Sequence, residues 1–223
     1  DHAGKLWLGT INGDLYAYDH NRFTRLDKAD GLPGEAISAL HPSANGDLWI
    51  GTLGGGLGRY RNGRLVFCGK QNGLADDVIA TIVDGGDGYF WLGSEQGIFR
   101  VRQEDLNAVA DGKQTRFESI CYGRDDGLAN VEMVGGYKPA AWKDRDGEIW
   151  FATSKGALRM NPGALSINTR PPPLMLEKIL LDGVEVKDSG GLKFKFGFHK
   201  LEFQYTATSF VSPERVRFRR QLD

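Results

Sequence analysis

The stretch that decides the fold is Gly46-Asp47-Leu48-Trp49-Ile50-Gly51-Thr52, a short β-prone segment centred on a tryptophan. The same pattern recurs three more times. The other copies are Gly4-Lys5-Leu6-Trp7-Leu8-Gly9-Thr10, Gly88-Tyr89-Phe90-Trp91-Leu92-Gly93-Ser94 and Gly147-Glu148-Ile149-Trp150-Phe151-Ala152-Thr153. The first three tryptophans are spaced 42 residues apart and the fourth follows after 59. A fixed period of this length indicates a repeat protein.

A second marker runs in step with the tryptophans. It reads Asp30-Gly31-Leu32, Asn72-Gly73-Leu74 and Asp126-Gly127-Leu128, and the first two of its glycines are also 42 residues apart. Between the markers lie glycine turns and short alternating segments such as Arg22–Leu26. Four strands in each unit of about 40 residues are typical of a β-propeller blade. A helical repeat would show a period of 3.6 residues, which these segments lack.

The third unit is longer than the others because it carries two insertions. Residues Gln103–Thr115 predict a helical turn that ends at Gly112, and a second insertion lies around Met133–Ala141.

After Arg170 the repeat stops, and Pro171-Pro172-Pro173 forms a stiff linker that cannot continue a sheet ladder. Strand-like segments separated by glycine or proline follow it. The sequence therefore predicts two domains, 1–170 and 171–223. The fold class is all-β: a partial β-propeller of about three and a half four-stranded blades, then an incomplete immunoglobulin-like β-sandwich.

Composition excludes several classes of protein. Among the 223 residues, 28 Lys and Arg balance 29 Asp and Glu, so the basic excess of a nucleic-acid binder is missing. Apolar runs are too short to span a bilayer, and the chain opens on a polar stretch with no signal peptide. Two cysteines do not make a disulfide framework.

The Leu-Trp-x-Gly-Thr and Asp-Gly-Leu motifs resemble the regulator-propeller repeats of bacterial hybrid two-component sensors. The segments Leu201–Phe210 and Val216–Leu222 stand where the Y_Y_Y domain that follows those propellers has its motifs, with Phe218 at a position that is usually tyrosine. The resemblance covers essentially the whole chain.

This resemblance implies a function and a location. The chain is expected to be a non-catalytic sensing fragment of the periplasmic part of an inner-membrane receptor. Blades, the rest of the sandwich and a transmembrane segment are expected elsewhere in the polypeptide. The output would be a histidine kinase or a nucleotide (diguanylate) cyclase. An oligosaccharide is the expected ligand, and the unpaired sheet faces and edges favour a homodimer.

The candidate ligand-binding residues are Tyr137, Lys138 and Arg124. Tyr137 and Lys138 lie in a glycine-flanked loop that interrupts the repeat, and an aromatic ring with a few polar groups suits sugar recognition. The alternative for this loop is a longer connection without function. Arg124 belongs to a set of basic residues, with Lys28 and Lys70, that recurs before each Asp-Gly-Leu and is interpreted as a solvated ring.

Other polar residues are interpreted as structural. Asp30 and Asp126 recur at a repeat position where Asn72 is equally acceptable, so they are expected to bond their own backbone in turns rather than act as an acid–base pair. The four repeat tryptophans are expected in the core. The histidines and cysteines lack metal-ligand spacing, and Cys68 and Cys121 are expected to be thiols in equivalent outer strands. No catalytic residue, metal or cofactor is predicted.

Two other functional classes remain open. A secreted propeller enzyme that acts on polysaccharide is disfavoured because the Asp-box position of sialidase-like propellers holds no aspartate. The residues at that position are His2, Ala44, Gly86 and Arg145. A plain interaction scaffold is disfavoured because the Gly-His and Trp-Asp signatures of that class are missing.

Overall fold

The structure, a computed structural model, describes residues 1–123, 128, 132–135, 140–164, 172–186, 197, 199–208 and 218. The chain divides into two compact units, Asp1–Leu165 and Ser166–Asp223. Each is described by itself below. The tryptophan repeat lies entirely within the first unit.

The first unit contains four antiparallel sheets, each built from consecutive strands of the chain. Sheet 1 consists of β1 (Leu6–Gly9), β2 (Leu15–Asp19) and β3 (Arg22–Leu26). Sheet 2 consists of β4 (Ile37–Pro42), β5 (Leu48–Thr52), β6 (Leu57–Arg61) and β7 (Arg64–Cys68). Sheet 3 consists of β8 (Thr81–Asp84), β9 (Tyr89–Ser94), β10 (Gly97–Arg102) and β11 (Ser119–Tyr122). Sheet 4 consists of β12 (Ala141–Lys143), β13 (Ile149–Thr153) and β14 (Gly156–Met160).

The sheets lie side by side as the blades of a propeller do. The first strands of sheets 2, 3 and 4 (β4, β8 and β12) contact one another in sequence, and β1 contacts β4. Each sheet is a meander of consecutive strands, and its connections are short except between β10 and β11, where a longer segment lies. The all-β propeller architecture predicted from the repeat is confirmed, with two four-stranded sheets and two sheets of three described strands.

The core lies between the sheets. Trp49 and Trp91 are fully buried, as the repeat predicts, and Trp49 meets Phe90 of sheet 3 edge-on with ring centroids 5.2 Å apart. Trp7 is half-buried against Tyr60 of sheet 2. The prediction of a core position is wrong for Trp150, which is exposed because no other described sheet of the first unit covers its side of sheet 4.

The insertions fall where the repeat is irregular. The first forms helix α1 (Gln103–Ala110), whose Leu106 and Ala110 are buried, and Gly112 follows it with a φ of 74°. The strand that follows the helix, β11, begins at Ser119. Within the second insertion, Met133 forms an isolated bridge to Thr153.

The second unit shows one antiparallel sheet. Its strands are β15 (Leu174–Leu181), β16 (Val184–Val186) and β17 (Leu201–Ala207), in the order β16-β15-β17. Cross-strand partners such as Leu176 and Tyr205 place apolar side chains on one face of this sheet. Phe218 meets Tyr205 with ring centroids 4.8 Å apart. A second layer for the predicted sandwich would come from residues outside the described ones, so the sandwich stays a prediction.

The Asp/Asn-Gly-Leu marker forms the turn that leads from one blade to the next. Asp30 accepts a hydrogen bond from the Asp27 backbone N–H at 3.0 Å, and Asn72 accepts one from the Gly69 N–H at 3.1 Å. These bonds confirm the turn interpretation for both residues, and Asp126 lies outside the described residues. The following glycines, Gly31 and Gly73, adopt left-handed φ values of 104° and 114°, which cost other residues free energy.

We expect Gly73→Ala to destabilise the chain far more than Gly31→Ala. Both changes place a Cβ at a positive φ, which costs about 1 kcal/mol. At Gly73 the new Cβ would also lie 1.9 Å from the backbone oxygen of Phe117, whereas at Gly31 the nearest atom would be 3.7 Å away. Urea unfolding at neutral pH measures the difference. Equal losses for the two variants would contradict this account of the turn.

Candidate functional site

The three residues predicted to bind ligand, Tyr137, Lys138 and Arg124, lie outside the described residues. Their flanking segments are described. Trp142, five residues after Tyr137, lies on β12 and is exposed. Gly135, on the other flank, packs so closely against Ala80 that a Cβ there would lie 2.8 Å from the Ala80 carbonyl oxygen. The loop therefore begins close to the first strand of sheet 3, and its function stays a prediction.

The basic residues that recur with Arg124 are held in the turns. The Lys70 ammonium lies 3.4 Å from a carboxylate oxygen of the buried Asp76. The side chain of Lys28 lies against Gly34, with its terminal carbon and nitrogen 3.1 and 3.3 Å from where a Cβ would stand. Because Lys70 already has a counterion, these turns favour a structural role for the cations over a polyanion site.

A polar network joins sheet 2 to helix α1 of the next unit. Arg59 on β6 donates to the Asn107 side chain at 2.7 Å and to the Asp111 carboxylate just after the helix. Arg61, two residues further along β6, donates two hydrogen bonds to the carboxylate of the buried Asp47. These hydrogen bonds fix α1 across the boundary between two sheets, which matters because a buried guanidinium without partners is costly.

Sheet 3 has an arginine at the corresponding position, paired across the strands with the repeat tryptophan. Arg59 pairs in register with Trp49, and Arg100 with Trp91. Arg100 is buried and has no carboxylate partner among the described residues. Its guanidinium carbon instead lies 4.7 Å from the centroid of Tyr89 and 5.3 Å from that of Trp91. Aromatic faces thus replace the counterion by cation–π attraction.

The indole nitrogen of the repeat tryptophan has a different environment in sheet 3 from that in sheets 1 and 4. Trp7 donates to Asp1 at 2.8 Å and Trp150 donates to Asp144 at 2.9 Å. The corresponding residue in sheet 3 is Gly85, where a Cβ would lie 2.7 Å from the indole nitrogen of Trp91. That buried nitrogen has no hydrogen-bond partner in the part of the chain that the structure describes. The glycine therefore makes room for the indole and removes its acceptor.

These two arginine clusters were missed at the level of sequence. Arg59 is 42 residues from Val101 rather than from Arg100, because the turn of sheet 2 has one residue more than that of sheet 3. Strand register, rather than sequence spacing, reveals that the arginines are equivalent. The Arg59 cluster joins sheet 2 to helix α1, the Arg100 cluster lies within sheet 3, and neither combines a nucleophile with a base.

Thiol and metal chemistry find no support among the described residues. Within them, no group of three or more His, Cys, Asp or Glu side chains could hold a metal ion. Cys68 pairs with Leu57 and Cys121 with Phe99, which confirms that they occupy equivalent outer strands. Burial raises the pKa of the Cys68 thiol to about 11, so the reactive thiolate is scarce at neutral pH.

Comparison with known proteins identifies the repeat. Residues 31–54, which include β4, β5 and the repeat tryptophan Trp49, match the family model of the two-component regulator propeller. This segment is therefore similar to a two-component regulator propeller repeat. No curated protein matches the chain at the level of sequence. Among the described residues, no helix is long and apolar enough to cross a membrane.

Solved structures share the fold of this chain. The extracellular domain of BT3049, assigned to a hybrid two-component system of B. thetaiotaomicron, matches 96% of the chain with a TM-score of 0.66 and 18% identity. The extracellular domain of BT4673 from the same organism matches 94% with a TM-score of 0.58 and 17% identity. PorZ, a surface component of the type-IX secretion system of Porphyromonas gingivalis, matches 72% with a TM-score of 0.50 and 17% identity. The chain spans 29%, 30% and 25% of these three structures.

The contact between Arg59 and Asp111 makes a testable contribution to stability at acid pH. The hydrogen bond from Arg59 holds the pKa of Asp111 below its usual range. Its stabilisation is therefore complete above the unfolded pKa of about 3.9 and is lost as pH falls through the lower folded value. We expect Asp111→Asn to be less stable than the parent chain at pH 7, with the difference shrinking towards pH 3. Urea unfolding across this range measures it.

Glu104→Gln is the matched control, since Glu104 is an exposed carboxylate in the first turn of the same helix. It should leave the pH dependence of unfolding unchanged. A stability difference between Asp111→Asn and the parent that is the same at pH 7 and pH 3 would show that the contact with Arg59 does not favour the ionised carboxylate.

Proposed function

We propose that this chain is part of the extracytoplasmic sensing module of a bacterial membrane-anchored signalling receptor, with a histidine kinase or diguanylate cyclase as output. The observation that carries the proposal is the two-component regulator propeller repeat at residues 31–54. It is supported by a fold shared over 96% of the chain with the extracellular domain of a protein assigned to a hybrid two-component system. A periplasmic location is part of the same proposal.

The described residues favour a sensor without catalysis of its own. The polar residues of the repeat either close turns, as Asp30 and Asn72 do, or join sheets, as Arg59 and Asp111 do. A secreted hydrolase would need a pair of carboxylates at a set separation, flanking a bound substrate. The Asp-Gly-Leu position does not supply such a pair, because one of its members is an asparagine and its side chain bonds its own turn.

An oligosaccharide is the proposed ligand. Tyr137 and Lys138 sit in the insertion between sheets 3 and 4, in a loop rich in glycine, and Arg124 precedes them at the start of the same connection. An aromatic face that stacks on a sugar ring, together with cations that donate to its oxygens, suits saccharide recognition.

The signal would be a change in how receptor copies are arranged rather than a change in the shape of the blades. A ligand shifts an equilibrium only by its different affinity for two arrangements. Sheets 2 and 3 are closely packed around buried tryptophans, so their own geometry is a poor candidate for the variable element. We propose that ligand binding alters how two receptor copies are held and that the second unit transmits this change towards the membrane.

Binding of defined oligosaccharides to the complete extracytoplasmic region tests the proposal. The probes are xylo-, manno-, arabino- and galacturono-oligosaccharides, and thermal unfolding is the readout. A ligand present at 100 times its Kd stabilises the folded state by about 2.7 kcal/mol, which raises the Tm by several degrees. We expect one class to raise the Tm and to be recovered intact by chromatography. Recovery of cleaved sugar would contradict the sensor proposal.

Variants test where the ligand binds. Tyr137→Ala, Lys138→Ala and Arg124→Ala are each expected to weaken the response to the active sugar at least tenfold, since stacking and charged hydrogen bonds are lost. Lys70→Ala is the matched control for Arg124→Ala, because it removes the equivalent cation from the previous blade. Unchanged sugar affinity in all three variants would remove this loop from the site while leaving the sensor proposal standing.

A further inference from the structure

An arginine lies opposite the repeat tryptophan in sheets 2, 3 and 4 of the first unit. The pairs in strand register are Arg59 with Trp49, Arg100 with Trp91 and Arg159 with Trp150. Because the arginine recurs at one position of the repeat, its surroundings can be compared from sheet to sheet. Sheet 3 differs from the other two in the acidic groups near the arginine.

In sheets 2 and 4 the arginine contacts a carboxylate of its own chain. Arg59 donates to the carboxylate of Asp111. The Nε of Arg159 lies 3.4 Å from a carboxylate oxygen of Glu148, which stands two residues before Trp150. In both sheets a carboxylate therefore balances the charge of the guanidinium.

Sheet 3 keeps the arginine and lacks both acids of sheet 4. Tyr89 stands at the position of Glu148, two residues before the repeat tryptophan. Gly85 stands at the position of Asp144, whose carboxylate accepts the indole hydrogen bond in sheet 4. Arg100 is nevertheless buried, with a relative exposure of 6%. Sheet 3 thus keeps a buried positive charge without the acids that sheet 4 provides.

Two buried donors of sheet 3 have no acceptor among the described residues. They are the Nε of Arg100 and the indole nitrogen of Trp91, which are neighbours across the strand pair. The cation–π contacts use the faces of the guanidinium and leave its N–H groups available, since these point outwards in its plane. A buried donor without a partner costs free energy. Tyr89, which lies against the guanidinium, is only half-buried, so the position is close to solvent.

Two further cations border this position. Arg102 lies two residues after Arg100 and on the same face of β10. Lys143 of sheet 4 donates to a backbone oxygen of the turn between β8 and β9. The acids of that turn, Asp84 and Asp87, accept backbone N–H groups of the turn at 2.8 and 3.2 Å. In the described part of the chain neither forms an ion pair with Arg100, so its guanidinium is available to another anion.

We propose that Arg100 and Trp91 bind the carboxylate of a small ligand from solution. A carboxylate has two acceptor oxygens, so it can accept from the guanidinium and from the indole nitrogen together. The group that sheet 3 lacks is an aspartate side chain, and acetate reproduces its carboxylate and one carbon. The site depends neither on the proposed saccharide nor on the proposed sensing function.

Titration of the 223-residue chain with sodium acetate tests the proposal. Acetate replaces chloride at constant ionic strength and neutral pH, and NMR follows the assigned indole N–H cross-peak of Trp91. We expect this cross-peak to shift and saturate with a Kd of about 1–10 mM, because so small a ligand makes few contacts. Acetamide, which has a similar shape without the charge, should leave the cross-peak in place.

Arg100→Met removes the guanidinium and keeps a long side chain, so the response to acetate should be lost. Arg159→Met is the matched control, because it removes the equivalent arginine from sheet 4, where Glu148 already balances its charge. It should leave the affinity of the Trp91 site for acetate unchanged.

A second pair of variants keeps the test decisive where Arg100→Met does not fold. Tyr89→Glu returns to sheet 3 the acid that Glu148 supplies in sheet 4. It should weaken acetate binding at least about tenfold, since the guanidinium then has a carboxylate of its own and a second one is repelled. Tyr89→Gln has nearly the same shape as Tyr89→Glu without the charge, and it should still bind acetate.

Four results would overturn the proposal. Acetate leaves the Trp91 cross-peak unmoved in the parent chain, acetamide moves it equally, Arg100→Met binds acetate as the parent does, or the two Tyr89 variants bind it equally. Phosphate distinguishes a carboxylate site from a general anion site. Tighter binding of phosphate than of acetate would assign the position to inorganic oxyanions and would also contradict the proposal.

Discussion

The structure depends on the packing of a tryptophan from one sheet against the apolar face of the next. Trp49, held edge-on against Phe90, is the fully developed example, and the residues around it form the largest core cluster of the first unit. Neither sheet could bury its apolar face alone, because a single small sheet leaves both faces in water. The stability of each blade is therefore a property of its neighbours as much as of its own strands.

The buried arginines follow from this packing. Each lies across the strand pair from a repeat tryptophan and is buried with it. Arg59 meets the acid and amide groups of helix α1, while Arg100 meets the rings of Tyr89 and Trp91. The buried guanidinium at this position of the repeat is thus stabilised by two kinds of interaction. The insertion that forms α1 supplies the polar partners of Arg59.

The sequence predicted what recurs and missed what occurs once. The 42-residue period located the strands of sheets 1 to 3 and the turns at Gly31 and Gly73, because each blade must satisfy the same local geometry. The prediction that Trp150 is buried was wrong, since burial depends on a neighbouring sheet rather than on the strand itself. The Arg59 and Arg100 clusters escaped notice because they depend on strand register and, for Arg59, on residues about 50 positions away. The proposed ligand residues lie in an insertion, where no repeat constrains the prediction.

Comparison of two equivalent tryptophans tests the central claim, that packing between sheets holds the propeller together. Trp49→Ala should cost about 3–5 kcal/mol in urea unfolding because it opens a cavity between two sheets. Trp150→Ala should cost less than half as much, since its ring is already partly in water. Equal losses for the two variants would mean that the tryptophan stabilises its own strand, and would contradict the account.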